Sequence, residues 1–269
     1  MNENNHSDRL VPEGFEQFVS RRGALRDPAR RGAVAGALAL PLGLAALASR
    51  VAAQSAVTER VEEALNFALR LEFLTAEFYA TATSPNSAFV FPDVATRTAF
   101  TIIRDQEREH VELLRSALGV QAQPKPAFDF TYGGEFQEVF SSYDGFLTVA
   151  TGIEDMSVRA YKTQLPAVME DAEVLRLMLG IHSVEARHAS KVRRLAGSYG
   201  IQGWILGSQV NAPVSFGPIY AGEETVMQGG IDVSEIAGAN VTAGQVTEAF
   251  DEPLPMPTLL GIIAPFASS

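Results

Sequence analysis

The chain has 269 residues, 46% of them hydrophobic, which is ample for one large domain with a substantial core. It contains no cysteine, which excludes disulfides, thiolate zinc sites, cysteine-bound iron–sulfur clusters and cysteine nucleophiles. The net charge of −11 argues against nucleic acid as a partner.

Residues 1–53 read as a twin-arginine-type export signal. Arg21 and Arg22 sit in the run SRRGAL, and Arg30 with Arg31 forms a second candidate pair. An uncharged apolar run over 32–48 follows, interrupted by Pro41 and several glycines and short for a membrane-spanning helix. Val51, Ala52 and Ala53 supply small residues for cleavage before Gln54. An uncleaved N-terminal anchor is the competing reading. Removing the signal leaves 14 Lys and Arg against 27 Asp and Glu, a net charge of −13. The expectation is a soluble, acidic protein of the periplasm or the exterior, without stable insertion in a membrane.

Four long helices follow. Residues 58–83 carry Leu65, Leu69, Glu72, Ala76 and Tyr79 at spacings of three and four, with Thr58 and Glu59 suited to a helix start. Breakers at Pro85 and Pro92 bound a loop over 84–92. Asp93 can cap a second helix to Leu118, with Phe100, Ile103, Glu107, His110 and Leu114 on one face and Gly119 beyond its end. Residues 119–134 form a long connection, with a short helical turn expected over 135–142. A third helix fits 144–165, ended by Pro166, and a fourth fits 170–196, ended by Gly197. Short linkers inside each pair and a long one between them predict two antiparallel hairpins joined by one crossover. The fold class is therefore all-α, a four-helix bundle over 54–197. Residues 198–269 form a loop-rich C-terminal extension packed on it. That extension has short helical pieces expected over 246–250, behind a capping box at Thr242 and Gln245, and over 257–264. Trp204, the only tryptophan, reads as a packing anchor.

Two features repeat between the hairpins. Glu72 is followed seven residues later by Tyr79, and Glu154 seven residues later by Tyr161. The second helix carries Glu107-x-x-His110 and the fourth Glu185-x-x-His188, each placing a carboxylate and an imidazole on one helical face. A single Glu-x-x-His is weak, because helix glutamates are usually solvated and paired with Lys or Arg. Here, however, two of the three histidines beyond residue 53 occupy such pairs, and Glu72 and Glu154 interrupt apolar stripes. Four carboxylates and two imidazoles from four helices form the donor set of di-iron and di-manganese bundles. Hard oxygen donors can bridge two cations, and imidazole suits iron or manganese. The expected cofactor is two Fe or two Mn ions, on Glu72, Glu107, His110, Glu154, Glu185 and His188. Glu77 competes with Glu72 but lacks the tyrosine offset, and Asp155 points about 100° from Glu154. His182, three residues before Glu185, is either a ligand or a residue behind the ligands. Tyr79 and Tyr161 are either core residues or hydrogen-bond donors to a ligand carboxylate on a neighbouring helix, a supporting role in catalysis. Arg104, Arg108, Glu109 and Glu112 read as solvated surface.

The segments LNFALRLEFLTAEFY (65–79), IEDMSVRAY (153–161), VEARHAS (184–190) and AFDEPL (249–254) resemble ferritin-like domain proteins related to desiccation-related proteins, which are commonly exported in bacteria. The resemblance spans about 57–266 and implies ligands at the same six positions. More distantly the layout is similar to manganese catalases and bacterioferritins. Without cysteine the chain lacks the second iron site of rubrerythrins. The resemblance speaks to fold more than to reaction; the dinuclear donor set itself points to oxidoreductase chemistry, catalase- or ferroxidase-like, on a small-molecule oxidant, peroxide or dioxygen, linked to oxidative or desiccation stress, with a homo-oligomer open. Two alternatives stand beside it. One is an iron-binding ferroxidase without a storage cage. The other is a structural stress-protection protein whose site is vestigial.

Overall fold

A computed structural model describes residues 58–197, 202–208, 212–236 and 241–268. The export-signal reading of 1–53 lies outside the described residues. Among the described residues no helix is long and apolar enough to cross a membrane.

Four long helices dominate: α1 (Glu59–Thr83), α2 (Val94–Leu118), α3 (Tyr143–Val168) and α4 (Ala172–Ala196). Each begins on a side chain that satisfies orphan N–H groups of the first turn. Thr58 accepts from Val61 N, Asp93 from Thr96 N, Ser142 from Gly145 N, and Asp171 from Glu173 N and Val174 N. Asp171 thus sets the start of α4 at Ala172, two residues later than the pattern predicts. At the other end, Gly119 (φ 57°) and Gly197 (φ 51°) take the left-handed backbone that stops α2 and α4. Pro166 does not stop α3, which runs on to Val168. A proline in the last turn forgoes a single backbone hydrogen bond, and only two further residues remain helical.

Helix α1 packs on α2, α3 on α4, and α1 crosses to α3. The connection over 119–142 starts with a 3-10 turn (Gly119–Gln121). Its later part, 135–142, is a run of hydrogen-bonded turns rather than a helix. The crossover inserts Phe130, Tyr132 and Val139 into the core.

The interior is two apolar clusters. The first gathers Phe78, Phe100 and Phe146, with Phe78 and Phe146 stacked at 5.1 Å. The second gathers Leu65, Leu69, Leu114, Leu177 and Met178. On α1, α2 and α4 the Glu and His positions fall where one cluster gives way to the other, and on α3 the change comes at Tyr161, so a polar layer lies between two apolar clusters.

Beyond α4 come a 3-10 helix (Val214–Tyr220), an antiparallel pair of two-residue strands β1 (Met227–Gln228) and β2 (Ile231–Asp232), and short helices α5 (Val233–Ile236), α6 (Ala243–Thr247) and α7 (Met256–Ile263). The expected capping box at Thr242 and Gln245 is present at the start of α6. This region is not a loose cover. Phe216, Ile219, Tyr220, Leu259 and Phe266 belong to the first apolar cluster. Phe216 fits because residue 152 of α3 is glycine: a Cβ there would sit 2.6 Å from its ring. Trp204, by contrast, is 44% exposed, with the Arg194 guanidinium 5.9 Å over its ring. A large amphipathic ring does not have to be buried when a cation can cover its face.

One buried cation fastens this region to the bundle. Arg159 of α3 pairs with Glu223 (Nε to Oε1, 2.8 Å) and donates to the carbonyls of Ala221 and Glu252 at 2.6 Å, and to that of Ile219. Thr163, one turn on, exchanges hydrogen bonds with Leu254 (2.7 and 3.0 Å). Breaking a buried pair by removing one partner strands the other charge. Arg159→Met should therefore lower stability by roughly 3–5 kcal/mol, read as a lower midpoint in urea. Burial pushes the Glu223 carboxyl up to about 7, against the pull of the Glu252 N–H and Arg159. The unfolded chain ionises this group near 4.5, so its contribution is full below that pH and lost as pH rises to about 7. The stability of the wild type relative to Glu223→Gln should fall across that window and be flat above it.

Candidate metal centre

The polar layer is built from one short segment of each long helix. Helix α1 supplies Glu72, Thr75 and Tyr79, and α3 supplies Glu154 and Tyr161. Helix α2 supplies Gln106, Glu107 and His110, and α4 supplies Glu185 and His188. Residues three, four and seven apart share a helical face, so a single rotational setting of each helix turns its whole group inward. All six predicted ligand residues are at most 4% exposed.

They form two overlapping quartets: Glu72, Glu107, His110 and Glu185, and Glu107, Glu154, Glu185 and His188. Within each quartet one ligand atom per residue lies within 4.8 Å of the others. Glu107 and Glu185 belong to both, and Glu72 and Glu154 to one each. His110 Nδ1 stands 3.2 Å from Glu72 Oε2 and 3.1 Å from Glu185 Oε1. His188 Nδ1 stands 2.6 Å from Glu107 Oε1. Both imidazoles present Nδ1 to the layer, and their centroids are 6.1 Å apart.

The layer is reinforced by reciprocal hydrogen bonds between hairpins. Tyr79 of α1 donates to Glu154 Oε1 of α3 at 2.5 Å, and Tyr161 of α3 donates to Glu72 Oε1 of α1. Burial, then the adjacent carboxylates, hold both phenols well above their usual pKa, so they remain protonated donors. Two further residues, not apparent in the sequence, touch the ligands. Thr75 Oγ1 donates to Glu107 Oε2 at 2.8 Å, and Gln106 Oε1 lies 2.7 Å from His188 Nε2. The only signal for either was position: Thr75 follows Glu72 by three, and Gln106 precedes Glu107.

The competing residues point elsewhere. Glu77 pairs with Lys125. Asp155 is buried behind α3, bound by Arg193 Nε (2.8 Å) and by the Tyr220 hydroxyl (2.8 Å). His182 is half-buried and outside both quartets. Of the residues expected at the surface, Arg108 and Glu112 are exposed. Arg104 is not simply solvated: it pairs with Asp105 at 2.6 Å and donates to Thr83 Oγ1 at 3.1 Å, tying α2 to the end of α1.

The electrostatics are those of carboxylates crowded together away from water. Burial, then Glu185, raises Glu72 well above the usual carboxylate range. Burial, then Glu107 and Glu185, does the same to Glu154. Burial and Glu107 also raise Glu185. Burial opposes ionisation of Glu107 too, but His188 and His110 outweigh it and hold that group well below its usual value. Burial alone would lower His110, and the Glu72 charge with bonds to Glu107, Glu185 and Glu72 raises it instead. Protons thus do part of the work that cations would do. The donor set fits two divalent cations. Four carboxylates match their charge, and Glu107 Oε1, Glu154 Oε2, both Glu185 oxygens and His188 Nδ1 are buried without an aligned hydrogen-bond partner. Such groups cost stability in the metal-free chain. Glu185→Met should therefore stabilise the chelator-treated protein by roughly 1–3 kcal/mol, read as a higher urea midpoint, while lowering the stabilisation gained on adding manganese(II).

No curated protein and no solved structure matches the chain, whereas the family model described as a ferritin-like domain matches residues 61–198. That span begins in the first turn of α1, ends just past α4 and contains all six ligand candidates. It covers more than half of the sequence, and the chain belongs to the ferritin-like domain family.

Proposed function

We propose that this chain is an exported dinuclear iron or manganese protein acting as an oxidoreductase on peroxide or dioxygen. The observation that carries the proposal is the pair of overlapping buried quartets with inward-facing, unpartnered oxygens. Glu72, Glu154, His110 and His188 would hold the ions individually, and Glu107 and Glu185 would bridge them. A pair of redox-active ions supplies two electrons to a single O–O bond.

The chain's own residues supply the setting. The apolar clusters on either side of the layer exclude water, which strengthens each charge interaction inside. The Tyr79 and Tyr161 hydroxyls hold Glu154 and Glu72 by one oxygen each, leaving the other for an ion. Glu185 Oε2 has no protein partner and Oε1 meets only fellow ligands, His110 nearest at 3.1 Å, so nothing outside the ligand set fixes this carboxylate. A catalase-like cycle draws both oxidant and reductant from peroxide, which suits an isolated exported chain. The twin-arginine pattern at Arg21 and Arg22 supports export, and the resemblance to desiccation-related proteins supports a role in oxidative or desiccation stress.

Protein purified after export without chelator should carry two Fe or Mn ions per chain by elemental analysis. Glu107→Ala should lose both, and oxygen evolution from peroxide should fall at least about a hundredfold. Full metal content in Glu107→Ala would overturn the assignment. Iron(II) oxidation without oxygen evolution from peroxide would move the activity to ferroxidase.

A further inference from the structure

The two hairpins repeat their ligands but not what stands behind them. Glu72, Thr75 and Tyr79 on α1 correspond to Glu154, Ser157 and Tyr161 on α3. Gln106, Glu107 and His110 on α2 correspond to Val184, Glu185 and His188 on α4. Ligands and tyrosines match. The two remaining places differ, and both differences favour the same side of the layer.

The first difference concerns the bridging carboxylates. The Thr75 hydroxyl has one proton and three acceptors in reach: backbone oxygens at 3.1 and 3.3 Å, and Glu107 Oε2 at 2.8 Å. The charged acceptor is both nearest and strongest. With Oε2 held, Glu107 keeps Oε1 beside His188, at 2.6 Å, whereas its nearest oxygen to His110 Nδ1 is Oε2, at 3.7 Å. The counterpart Ser157 is equally buried, yet its hydroxyl has no partner, and Glu185 meets only its fellow ligands, with His110 nearest, 3.1 Å from Oε1.

The second difference concerns the imidazoles. A ring that offers its Nδ1 lone pair must carry its proton on Nε2. In His188 that nitrogen faces Gln106 Oε1 at 2.7 Å, which fixes both tautomer and ring plane. The residue corresponding to Gln106 is Val184, which has no acceptor to offer, and among the described residues no side chain bonds to His110 Nε2. Gln106 and Val184 are both half-buried, so the contrast is one of chemistry rather than of placement.

We propose that the two metal positions are unequal by construction. The Glu107–Glu154–Glu185–His188 position fills first and tightly, and the Glu72–Glu107–His110–Glu185 position fills second and exchanges. The inference rests on the dinuclear reading above. At the first position Tyr79, Thr75 and Gln106 hold three of the four donors before an ion arrives, so little ordering remains to be done on binding. At the second, Tyr161 holds Glu72 and Thr75 the shared Glu107, but among the described residues no side chain holds His110 Nε2; Glu185, common to both positions, has no partner outside the ligand set. Gln106 and Thr75 are positioning residues, acting through His188 and Glu107.

Titration of the metal-free full chain with manganese(II), followed by calorimetry and electron paramagnetic resonance, tests this. The wild type should bind in two steps separated by at least about tenfold, comparable to the effect of one outer hydrogen bond on metal affinity. With one equivalent added, it should give the signal of an isolated ion. Gln106→Leu should weaken the tight step about 10–100-fold and leave the weak step within about twofold. Gln106→Glu keeps the acceptor and should restore the tight step, which a purely structural role would not require. His188→Ala should abolish the tight step, and His110→Ala should keep it. Circular dichroism of each variant verifies the fold. Two ions bound with equal affinity, or Gln106→Leu weakening both steps alike, overturns the inequality and leaves the dinuclear reading standing. No manganese bound by the wild type overturns both.

Discussion

The structure depends on keeping four carboxylates and two imidazoles in a layer almost wholly buried from water. A lone buried carboxylate is costly, and here four converge between two apolar clusters. Nothing in the packing of Leu, Phe and Val alone requires such a layer. An apolar replacement of the same shape would fold at least as well. The layer is therefore explained by what it could hold rather than by packing, and the bundle has to supply enough apolar burial above and below to outweigh it. The aromatic cluster around Phe146 and the aliphatic cluster around Leu114 do so from opposite ends of the helices.

Register is the second requirement, and the tyrosines answer it. Pairing Tyr79 with Glu154 and Tyr161 with Glu72 is possible only if α1 and α3 run antiparallel with residue 72 opposite 161 and residue 79 opposite 154. A slip of one residue would turn each side chain by about 100° and break both bonds at once. Because α1 is also antiparallel to α2, helices α2 and α3 are parallel, and the chain between them has to travel the length of the bundle. The crossover over 119–142 is thus a consequence of where the tyrosines meet their glutamates. It is held in place by its own aromatic residues and by the bond from Asp129 N to Phe266 O at 2.8 Å.

What was legible in the sequence follows from the same physics. Glu72 and Glu154 stood out because a charge in an apolar stripe needs a reason, and the Glu-x-x-His pairs because histidine is scarce. The caps at Thr58 and Asp93 were readable because they act locally. Thr75 and Gln106 were not readable: a threonine or glutamine on a helix is ordinary, and only the neighbouring helix gives it a task. Arg159 was hidden for the same reason, since its partners lie some 60 to 90 residues further along the chain. Trp204 misled in the opposite direction, because rarity and size say little about depth. Pro166 and the turns over 135–142 show that local breakers and local propensity yield to the packing around them.

Arg159 also explains why the C-terminal region belongs with the site. Every residue of α3 from Val149 to Tyr161 is buried, on the side facing the bundle and on the side facing away. A bundle helix normally keeps one wet face. The far face of α3 is covered by Phe216, Ile219, Tyr220 and the segment around Leu254, fastened by Arg159 and Thr163. Asp155 lies on this face and takes its bonds from Arg193 of α4 and from Tyr220. The ion pair therefore braces α3 against α4 one residue away from Glu154. Removing the cover would admit water to the back of the helix that carries both Glu154 and Tyr161. The dielectric around the layer would rise, and with it the freedom of those two side chains. The segment beyond α4 is thus the outer wall of the polar layer, and the apolar surroundings of the four carboxylates extend from the bundle into the rest of the chain.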